Sequence, residues 1–352
     1  MERLRKKIED IIYDDGKTPF FSVKFILYLL SKIFGLIVST RRTFYNKDIF
    51  KSFSSPVKVI SVGNITVGGT GKTPFTIYLA KLLKENGFNP AVISRGYGGT
   101  LEEKGAVVHD GEKMLADVYE AGDEPYLIAE KLKNVPVYVG SSRCKSADKA
   151  VIGGADFLIL DDGFQHLKID RNFEIILLDS DKPFGNGHLI PRGSLRDPLK
   201  YLSLGDAFIL TRYKGVDPDS LKNIIPSKNI FRTTHKESIY NVDGNCDLNI
   251  LNGKSAFAFS GIAHNDKFRQ STTSLGLIVE GFKEYKDHHR YERADIDDIY
   301  ESSKGCDFIV TTEKDFVKIQ KINNFKNLLI VSIDIEFIDE GFDNFFLDKI
   351  KE

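Results

Sequence analysis

The stretch that decides the fold runs from Val62 to Pro74 and reads Val-Gly-Asn-Ile-Thr-Val-Gly-Gly-Thr-Gly-Lys-Thr-Pro. It follows an apolar segment, 57–62, that is typical of a buried strand, and it precedes a helical pattern over 75–86. Glycines let backbone N–H groups turn onto phosphate oxygens, and a helix N-terminus adds positive potential. The stretch therefore predicts a phosphate-binding loop between a strand and a helix.

Several residues of this loop have an expected part in holding a nucleotide. Lys72 suits the β- and γ-phosphates, and the hydroxyl of Thr73 suits Mg²⁺. The pattern departs from GxxxxGK[ST], because Thr66 stands where the first glycine is expected. The loop thus indicates nucleotide binding without fixing the class of NTPase. The predicted nucleotide-binding residues are Thr66, Val67, Gly68, Gly69, Thr70, Gly71, Lys72 and Thr73.

Two adjacent acids, Asp161 and Asp162, follow the apolar segment 157–160. Acids at the carboxyl end of a buried strand lie on the ligand side of a parallel sheet. Taken alone, a strand that ends in Asp-Asp-Gly is often only a turn. Together with the phosphate loop, the pair predicts that Asp161 or Asp162 holds Mg²⁺ directly or through water, alongside Thr73.

Short apolar segments alternate with helical patterns from residue 57 onward, which is typical of a mostly parallel sheet covered by helices. Expected strands of the first series are 57–62, 91–94, 157–160, 174–178 and 207–210. A second series of strands and helices is expected at 256–260, 275–280, 294–304, 308–311 and 328–333, after a candidate linker or hairpin at 241–253. We predict an α/β fold of the P-loop NTPase type over 57–240 and a smaller α/β C-terminal domain over 241–352.

The N-terminal segment 1–56 differs from the rest of the chain. The run 20–38 is apolar except for one narrow helical stripe made of Lys24, Tyr28, Ser31, Lys32 and Gly35. Lysines make a membrane crossing expensive, at about 2.5–3.5 kcal/mol each near the bilayer centre. The segment therefore predicts a helix that lies in the membrane interface, although a core helix with a solvated edge is the open alternative.

Charge and composition limit the remaining possibilities. The formal net charge of −1 argues against bulk binding of nucleic acid. Residues 17–51 carry seven Lys or Arg and one Asp, which favours anionic lipid. The chain start, 1–16, lacks the pattern of a signal peptide, and the three widely spaced cysteines favour idle thiols over a disulfide framework or zinc site.

Candidates for proton transfer lie outside the phosphate loop. Asp123 and Glu124 stand together before a helical pattern, where an N-cap is the open alternative. A second cluster, Asp-His-His-Arg-Tyr at 287–291, sets histidines beside an acid, and such a pair can orient a carboxylate that acts as a base. The polar loop 185–198 carries Arg192 and Arg196, which suit either an acidic substrate group or an ordinary surface.

Seven motifs in order resemble the tetraacyldisaccharide 4′-kinases of Gram-negative bacteria. They are SVGNITVGGTGKTP from Ser61, SRGYGG from Ser94, GDEP from Gly122, DDGFQH from Asp161, GNGHLIPRGSLRDP from Gly185, DHHRY from Asp287 and TTEKDFVK from Thr311. The resemblance implies transfer of the γ-phosphate of ATP, with Mg²⁺, to the 4′-hydroxyl of a tetraacyl glucosamine disaccharide 1-phosphate, which gives lipid IVA.

The same resemblance implies roles for individual residues. Asp123 is expected to be the general base and His288 its hydrogen-bonded partner, while Asp161 and Asp162 are the acidic pair near Mg²⁺. Asp197 departs from the family pattern, which more often has Glu there. The protein is expected on the cytoplasmic face of the inner membrane, as a peripheral or monotopic protein whose partners are its lipid-linked substrate and the membrane surface, with no nucleic acid and no protein partner implied.

Two other classes remain as alternatives. A membrane-associated regulatory NTPase of the partitioning type would carry a second lysine just before the glycines, where this chain has Val67. A GTP-binding chaperone would need an Asn-Lys-x-Asp guanine reader, which Thr312-Glu313-Lys314-Asp315 resembles only superficially.

Overall fold

A computed structural model gives the fold of the chain. It describes residues 11–12, 14, 16, 18–20, 22–221, 224–225, 229–242, 244–245, 251–263, 265–322 and 325–352. Cys144 and Cys306 are free thiols, and Cys246 lies outside the described residues.

Helices and strands alternate along most of the chain, as predicted from the spacing of apolar segments. The helices are α1 (Val23–Asn46), α2 (Lys72–Glu85), α3 (Val118–Ala121), α4 (Asp123–Leu132), α5 (Arg143–Ile152), α6 (Asn265–Ser274), α7 (Arg293–Ser302), α8 (Glu313–Ile319) and α9 (Phe342–Lys351). The strands are β1 (Lys58–Asn64), β2 (Pro90–Ser94), β3 (Ala106–His109), β4 (Val137–Val139), β5 (Phe157–Asp161), β6 (Phe173–Asp179), β7 (Ala207–Thr211), β8 (Ile230–Asn241), β9 (Gly244–Asn245), β10 (Ser255–Ser260), β11 (Ile278–Glu284), β12 (Phe308–Thr312) and β13 (Leu328–Phe337).

The chain divides into two compact units, and each consists of several chain segments. Unit 1 contains Met1–Ser94, Arg143–Thr234 and Glu336–Glu352, and unit 2 contains Arg95–Ser142 and His235–Ile335. The predicted domains 57–240 and 241–352 assume a single division. The segment 95–142 belongs to unit 2, whereas its chain neighbours on both sides belong to unit 1. This was not predicted, because a sequence pattern shows where strands begin and end but not which sheet they join.

Unit 1 has a parallel sheet with the strand order β8-β7-β6-β1-β5-β2. Strand β1 lies between β6 and β5, and its register places Val62 opposite Asp161. The strands are buried along nearly their whole length, which explains their continuous apolar sequence. A parallel sheet also brings the carboxyl ends of β1 and β5 to the same edge, so the phosphate loop and the acidic pair lie side by side.

Unit 2 contains a second parallel sheet, ordered β11-β10-β12-β13. The pair β3 and β4 is antiparallel, as is the hairpin of β8 and β9, in which Tyr240 pairs with Asn245. The hairpin lies at the start of the candidate linker 241–253, of which 243 and 246–250 fall outside the described residues. The architecture confirms a mostly parallel α/β fold.

Helix α1 presents its apolar side outward. Its exposed side chains include Leu29, Ile33, Leu36 and Ile37. Of the predicted polar stripe, Ser31 is buried, and Gly35 approaches Leu189 so closely that a Cβ would lie 2.7 Å from its Cδ1. Ser31 and Gly35 therefore face the protein, and most of the apolar surface of α1 is left exposed, which is not the arrangement of a core helix.

The two lysines of the stripe are placed differently from one another. Lys24 pairs with Asp14 and is not directed to lipid headgroups, whereas Lys32 is exposed and lies 4.9 Å from the centre of the Tyr28 ring. By length and composition α1 is apolar enough to cross a membrane.

Candidate active site

The phosphate loop of unit 1 connects β1 to α2. Gly68 and Gly71 have φ angles of 110° and 83°, in the left-handed region that glycine adopts without strain. Gly71 is the N-cap of α2, and no described side chain caps that helix end. The first N–H groups of α2 are therefore directed into the loop with the positive end of the helix dipole, as an anion site requires.

The two ends of this loop have different surroundings. The N–H of Val67 donates to the carbonyl of Ser194 at 2.8 Å, so this predicted phosphate donor is engaged within the protein. The Arg212 guanidinium donates to the carbonyl of Gly69 at 2.7 Å and pairs with Asp179. The hydroxyl of Thr70 is buried and has no hydrogen-bond partner among the described residues. An unpartnered buried hydroxyl is costly, and a phosphate oxygen would satisfy it.

Close packing of glycines places the acidic pair beside this loop. A Cβ on Gly63 would lie 2.5 Å from the Cβ of Phe164, and a Cβ on Gly163 would lie 2.4 Å from the hydroxyl of Ser61. Only glycine therefore fits at either position. Strand β1 and the turn after β5 approach each other more closely than side chains would allow.

Asp161 and Asp162 have distinct environments. Asp161 is buried and accepts hydrogen bonds from the hydroxyls of Thr76, at 3.4 Å, and Ser94, at 3.1 Å. Asp162 lies 2.9 Å from Nη1 of Arg196 and 3.7 Å from Nζ of Lys72. Burial alone would raise the pKa of Asp162, but Lys72 and Arg196 hold it at about 2. Asp162 is thus a permanent carboxylate next to the predicted phosphate-binding lysine.

The loop 185–198 uses its two arginines in different ways. Arg196 reaches Asp162, whereas Arg192 is 1% exposed and donates to the carbonyls of Ile11, Asp14 and Gly16 at 3.0–3.2 Å. Arg192 is therefore not the handle for an acidic substrate group that the sequence suggested. A buried guanidinium needs acceptors, and here the main chain of the N-terminal segment provides them.

Asp197 of the same loop anchors α1. Its carboxylate lies 2.6 Å from Nε of Arg42 and accepts from Nε2 of Gln165 at 2.8 Å, and Arg42 and Asp197 are both buried. The Arg42 guanidinium also lies 4.6 Å from the centre of the Phe164 ring. Asp162, Gln165, Arg196 and Asp197 therefore connect the phosphate loop to α1 within unit 1.

Unit 2 brings the predicted catalytic pair into contact. Nδ1 of His288 lies 2.9 Å from Oδ2 of Asp123 and 3.0 Å from its Oδ1. Burial alone would raise the pKa of Asp123, but the bond to His288 and the charge of Lys314 lower it to about 2. The bond to Asp123 raises the pKa of His288. The neighbouring His289 instead pairs with Asp295 at 3.0 Å, so His288 is the histidine of this cluster that contacts Asp123.

Gly122 is the residue that sets the position of Asp123. It is the N-cap of α4, with a φ of 89°, and a Cβ there would lie 2.9 Å from the carbonyl of Tyr97. A Cβ on Gly99 would lie 2.5 Å from the carbonyl of Glu120. The motifs SRGYGG and GDEP thus interlock through their glycines. Asp123 is the first residue of α4 and not its N-cap, which was the alternative interpretation.

These observations define the class of the protein: an α/β protein of the P-loop type, with an acidic pair beside the phosphate loop and a separate carboxylate–imidazole pair suited to proton transfer. The family model described as Tetraacyldisaccharide-1-P 4′-kinase matches residues 23–351. The chain belongs to this family of lipid A biosynthesis kinases, as the seven motifs predicted.

Relatives match over almost their full length. The tetraacyldisaccharide 4′-kinase of Desulfatibacillum aliphaticivorans is 39% identical, covering 100% of this chain and 99% of that protein. The corresponding kinase of Syntrophus aciditrophicus is 42% identical and covers 90% and 89%. A crystal structure of LpxK from Aquifex aeolicus in complex with ATP has a TM-score of 0.76 and 30% identity, covering 94% of this chain and 100% of that one. The predicted fold class and the prediction of a kinase are confirmed.

Proposed function

We propose that the protein transfers the γ-phosphate of ATP to the 4′-hydroxyl of a tetraacyl glucosamine disaccharide 1-phosphate, which gives lipid IVA. The observation that carries this proposal is the contact between the buried Asp123 and the partly exposed His288 in a chain of the 4′-kinase family. A pair of this kind suits removal of a proton from an alcohol. A protein that only hydrolyses ATP has water as its acceptor and no sugar hydroxyl to deprotonate.

The nucleotide is held by Thr66–Thr73, with the main contacts from the N–H groups at the start of α2. The unpartnered hydroxyl of Thr70 and the left-handed glycines Gly68 and Gly71 support this assignment. Lys72 neutralises the transferring phosphate, and Asp162 keeps the lysine directed toward the loop. The N–H of Val67 already donates to the carbonyl of Ser194, so Val67 helps to shape the loop and does not donate to a phosphate.

The oxygen donors beside the loop fit Mg²⁺. Thr73, Asp161 and Asp162 offer the hard ligands that this ion prefers, and the described residues contain no cluster of three His, Cys, Asp or Glu that would bind a metal alone. This fits an ion held by one or two protein groups together with nucleotide phosphates. Bound there, Mg²⁺ would neutralise developing charge on the phosphates.

Asp123 accepts the proton of the acceptor hydroxyl. Its pKa of about 2 keeps it ionised at every physiological pH, so the base is always in its reactive form. Phosphoryl transfer has a loose transition state, and the hydroxyl becomes strongly acidic only as its oxygen bonds to phosphorus. A weak but well-oriented base is therefore sufficient. His288 holds the carboxylate in place and offsets its charge.

The exposed face of α1 lies on the cytoplasmic surface of the bacterial inner membrane. Its apolar side chains are directed away from unit 1, and a lipid substrate keeps its acyl chains in the bilayer. If α1 lies in the membrane surface without crossing it, the disaccharide headgroup of the lipid stays at that surface, where the protein can reach it. No partner beyond the membrane surface and the lipid-linked disaccharide is needed.

The test supplies γ-labelled ATP and the tetraacyl disaccharide 1-phosphate in detergent micelles to the purified full-length protein. We expect the label on the lipid, and none on a matched lipid that lacks the 4′-hydroxyl. Release of free phosphate at the same rate with either lipid would contradict the proposal and favour a regulatory NTPase of the partitioning type.

A further inference from the structure

Helix α8 lies in the motif TTEKDFVK and has entered the function so far only through the charge of Lys314 near Asp123. Its residues Glu313, Asp315 and Lys318 are charged and buried. Buried charges are costly unless they are paired and hydrogen-bonded. Three of them in a seven-residue helix indicate that their contacts serve a purpose.

One set of these contacts holds the helix that carries Asp123. Lys314 forms an ion pair with Glu124, the residue that follows Asp123. Glu313 pairs with Lys131 near the other end of α4, where Oε1 and Nζ are 2.7 Å apart. Helix α4 is thus fastened to α8 at both ends, and the attachment at its first turn is next to the proposed base.

A second set holds the loop that carries His288. The carboxylate of Asp315 accepts from the N–H of Gly261 and the hydroxyl of Tyr291, both at 3.0 Å. The carbonyl of Gly261 in turn accepts from the N–H of His288 at 3.2 Å. Gly261 leaves no free space, since a Cβ there would lie 3.2 Å from both Oδ1 of Asp315 and the Cβ of His289.

The backbone of His288 needs such support. Its φ of 60° is in the left-handed region, which is unfavourable for a residue with a Cβ and persists only where the surroundings impose it. The loop therefore holds the imidazole in one direction at an energetic cost. Contacts that offset the cost come from Gly261 and, through it, from Asp315.

We infer that α8 is the positioning element of the Asp123–His288 pair, with Lys314 fixing the start of α4 and Asp315 fixing the loop of His288. Neither residue is a catalytic residue, because each acts through another. The catalytic consequence of this arrangement rests on the proposed function, whereas its geometric consequence does not.

The geometric consequence is measured by NMR titration of His288 in the full chain. The charged groups that face this imidazole are Asp123, Asp287 and Lys314. Asn at 315 has one acceptor oxygen and cannot serve all the donors around it. In Asp315→Asn we expect the pKa of His288 to fall toward its ordinary value of about 6.5, because the bond to Asp123 is lost. An unchanged pKa in a folded variant would overturn the inference.

Lys314 provides a second variant that does not depend on a buried site, since its side chain is 30% exposed. For Lys314→Gln we expect kcat to fall about 10- to 100-fold, the range that a small misplacement of a reacting group produces, while KM for ATP stays within about twofold. Lys314→Arg restores most of the rate. The matched control is Lys304→Gln, which removes the surface ion pair with Glu301 in the same unit and leaves kcat unchanged.

Asp123→Asn, assayed in parallel, separates the two possible failures. If it abolishes turnover while Lys314→Gln and Asp315→Asn keep the parental kcat and the parental pKa of His288, the positioning role is wrong and the proposed base stands. If Asp123→Asn retains turnover, the proposed base is wrong, and the titration of His288 still decides whether α8 positions the pair.

Discussion

Single residues in this protein act in charged pairs that tie distant segments together. Lys72 with Asp162 and Arg42 with Asp197 belong to unit 1, and Asp123 with His288 belongs to unit 2. Each pair combines a motif residue with a partner far along the chain. Residue-level changes should therefore have two separable effects, one on phosphate chemistry and one on stability.

Lys72→Ala removes the cation beside the phosphate loop. We expect weaker ATP binding and a lower rate together, because in the proposed function Lys72 neutralises charge on both the bound and the transferring phosphate. Equilibrium binding of ATP and kcat are the two measurements. Lys81→Ala, on the exposed side of the same helix, is the control and should change neither. Unchanged ATP affinity in Lys72→Ala would contradict the assignment of the loop.

Arg42→Met breaks a buried ion pair while keeping most of the side-chain volume. We expect the free energy of unfolding to fall by about 3–5 kcal/mol, because Asp197 is left as an uncompensated buried charge. The measurement is urea denaturation. Arg41→Met is the matched control, since Arg41 is exposed and should cost less than about 1 kcal/mol. An equal fall in the free energy of unfolding of both variants would show that the Arg42–Asp197 ion pair does not contribute to stability.

The sequence identified the candidate site residues but few of the contacts that the structure gives them. The glycine loop, Asp161 with Asp162, and Asp123 with His288 stand in motifs whose chemistry follows from local spacing. Arg212 at the carbonyl of Gly69 and Arg42 at Asp197 were missed, because nothing local connects residues that are 143 and 155 positions apart. The use of Arg192 was left open between a substrate group and an ordinary surface, because its acceptors are main-chain carbonyls that no sequence pattern indicates.

At the scale of elements, helix α1 and strand β6 each have side chains in surroundings that are unfavourable for them in water-soluble globular proteins. The helix exposes large apolar residues, and the strand buries the carboxyl group of Glu174. The helix was predicted from its sequence, although the direction of its polar stripe was not. That direction depends on where the loop 185–198 lies.

Replacing Ile33 and Leu36 with Asn should release the protein from membranes. Both side chains are more than half exposed, and burying each in a bilayer contributes about 1.5–3 kcal/mol. The measurement is cosedimentation with vesicles that contain anionic phospholipid. Ile152→Asn, at an exposed position of α5, is the control. Point changes are cleaner than removal of residues 1–50, which would also delete Arg42. Undiminished cosedimentation would contradict the proposed attachment.

Glu174→Gln tests the buried acid of β6. Burial raises the pKa of Glu174 to about 7, although Arg171 lies 3.1 Å away. A folded pKa above the unfolded value of about 4.3 means that its contribution is fully present below that pH and is lost as the pH rises through 7. Between these two pH values the free energy of unfolding of Glu174→Gln should rise relative to that of the parent. The rise is a few kcal/mol at most, since one pKa unit is worth about 1.4 kcal/mol.

Thermal unfolding at a series of pH values measures this difference. Glu301→Gln, which makes the same change at an exposed position, is the control. A constant difference for Glu174→Gln would mean that Glu174 has the same pKa in the folded and the unfolded protein, which would contradict the raised pKa.

At the scale of the whole molecule, family membership and chemistry agree. The match to the family model over residues 23–351 includes α1, the phosphate loop, the acid–histidine pair and α8. Every element used in the proposal therefore lies in the part of the chain that matches the family. The two compact units divide the chain differently from the predicted domain limits. Residues 95–142 lie within the first series of strands in the sequence but belong to unit 2. The spacing of strands along the chain does not show to which unit a segment belongs.

The most direct test of the central claim is phosphoryl transfer by Asp123→Asn, measured together with its equilibrium affinity for ATP. Loss of a general base should lower kcat by about 10²–10⁴-fold while ATP binds as in the parent, because nucleotide and proton are handled by different residues. Turnover near the parental rate would contradict the account, since Asp123 would then not be the group that takes the proton.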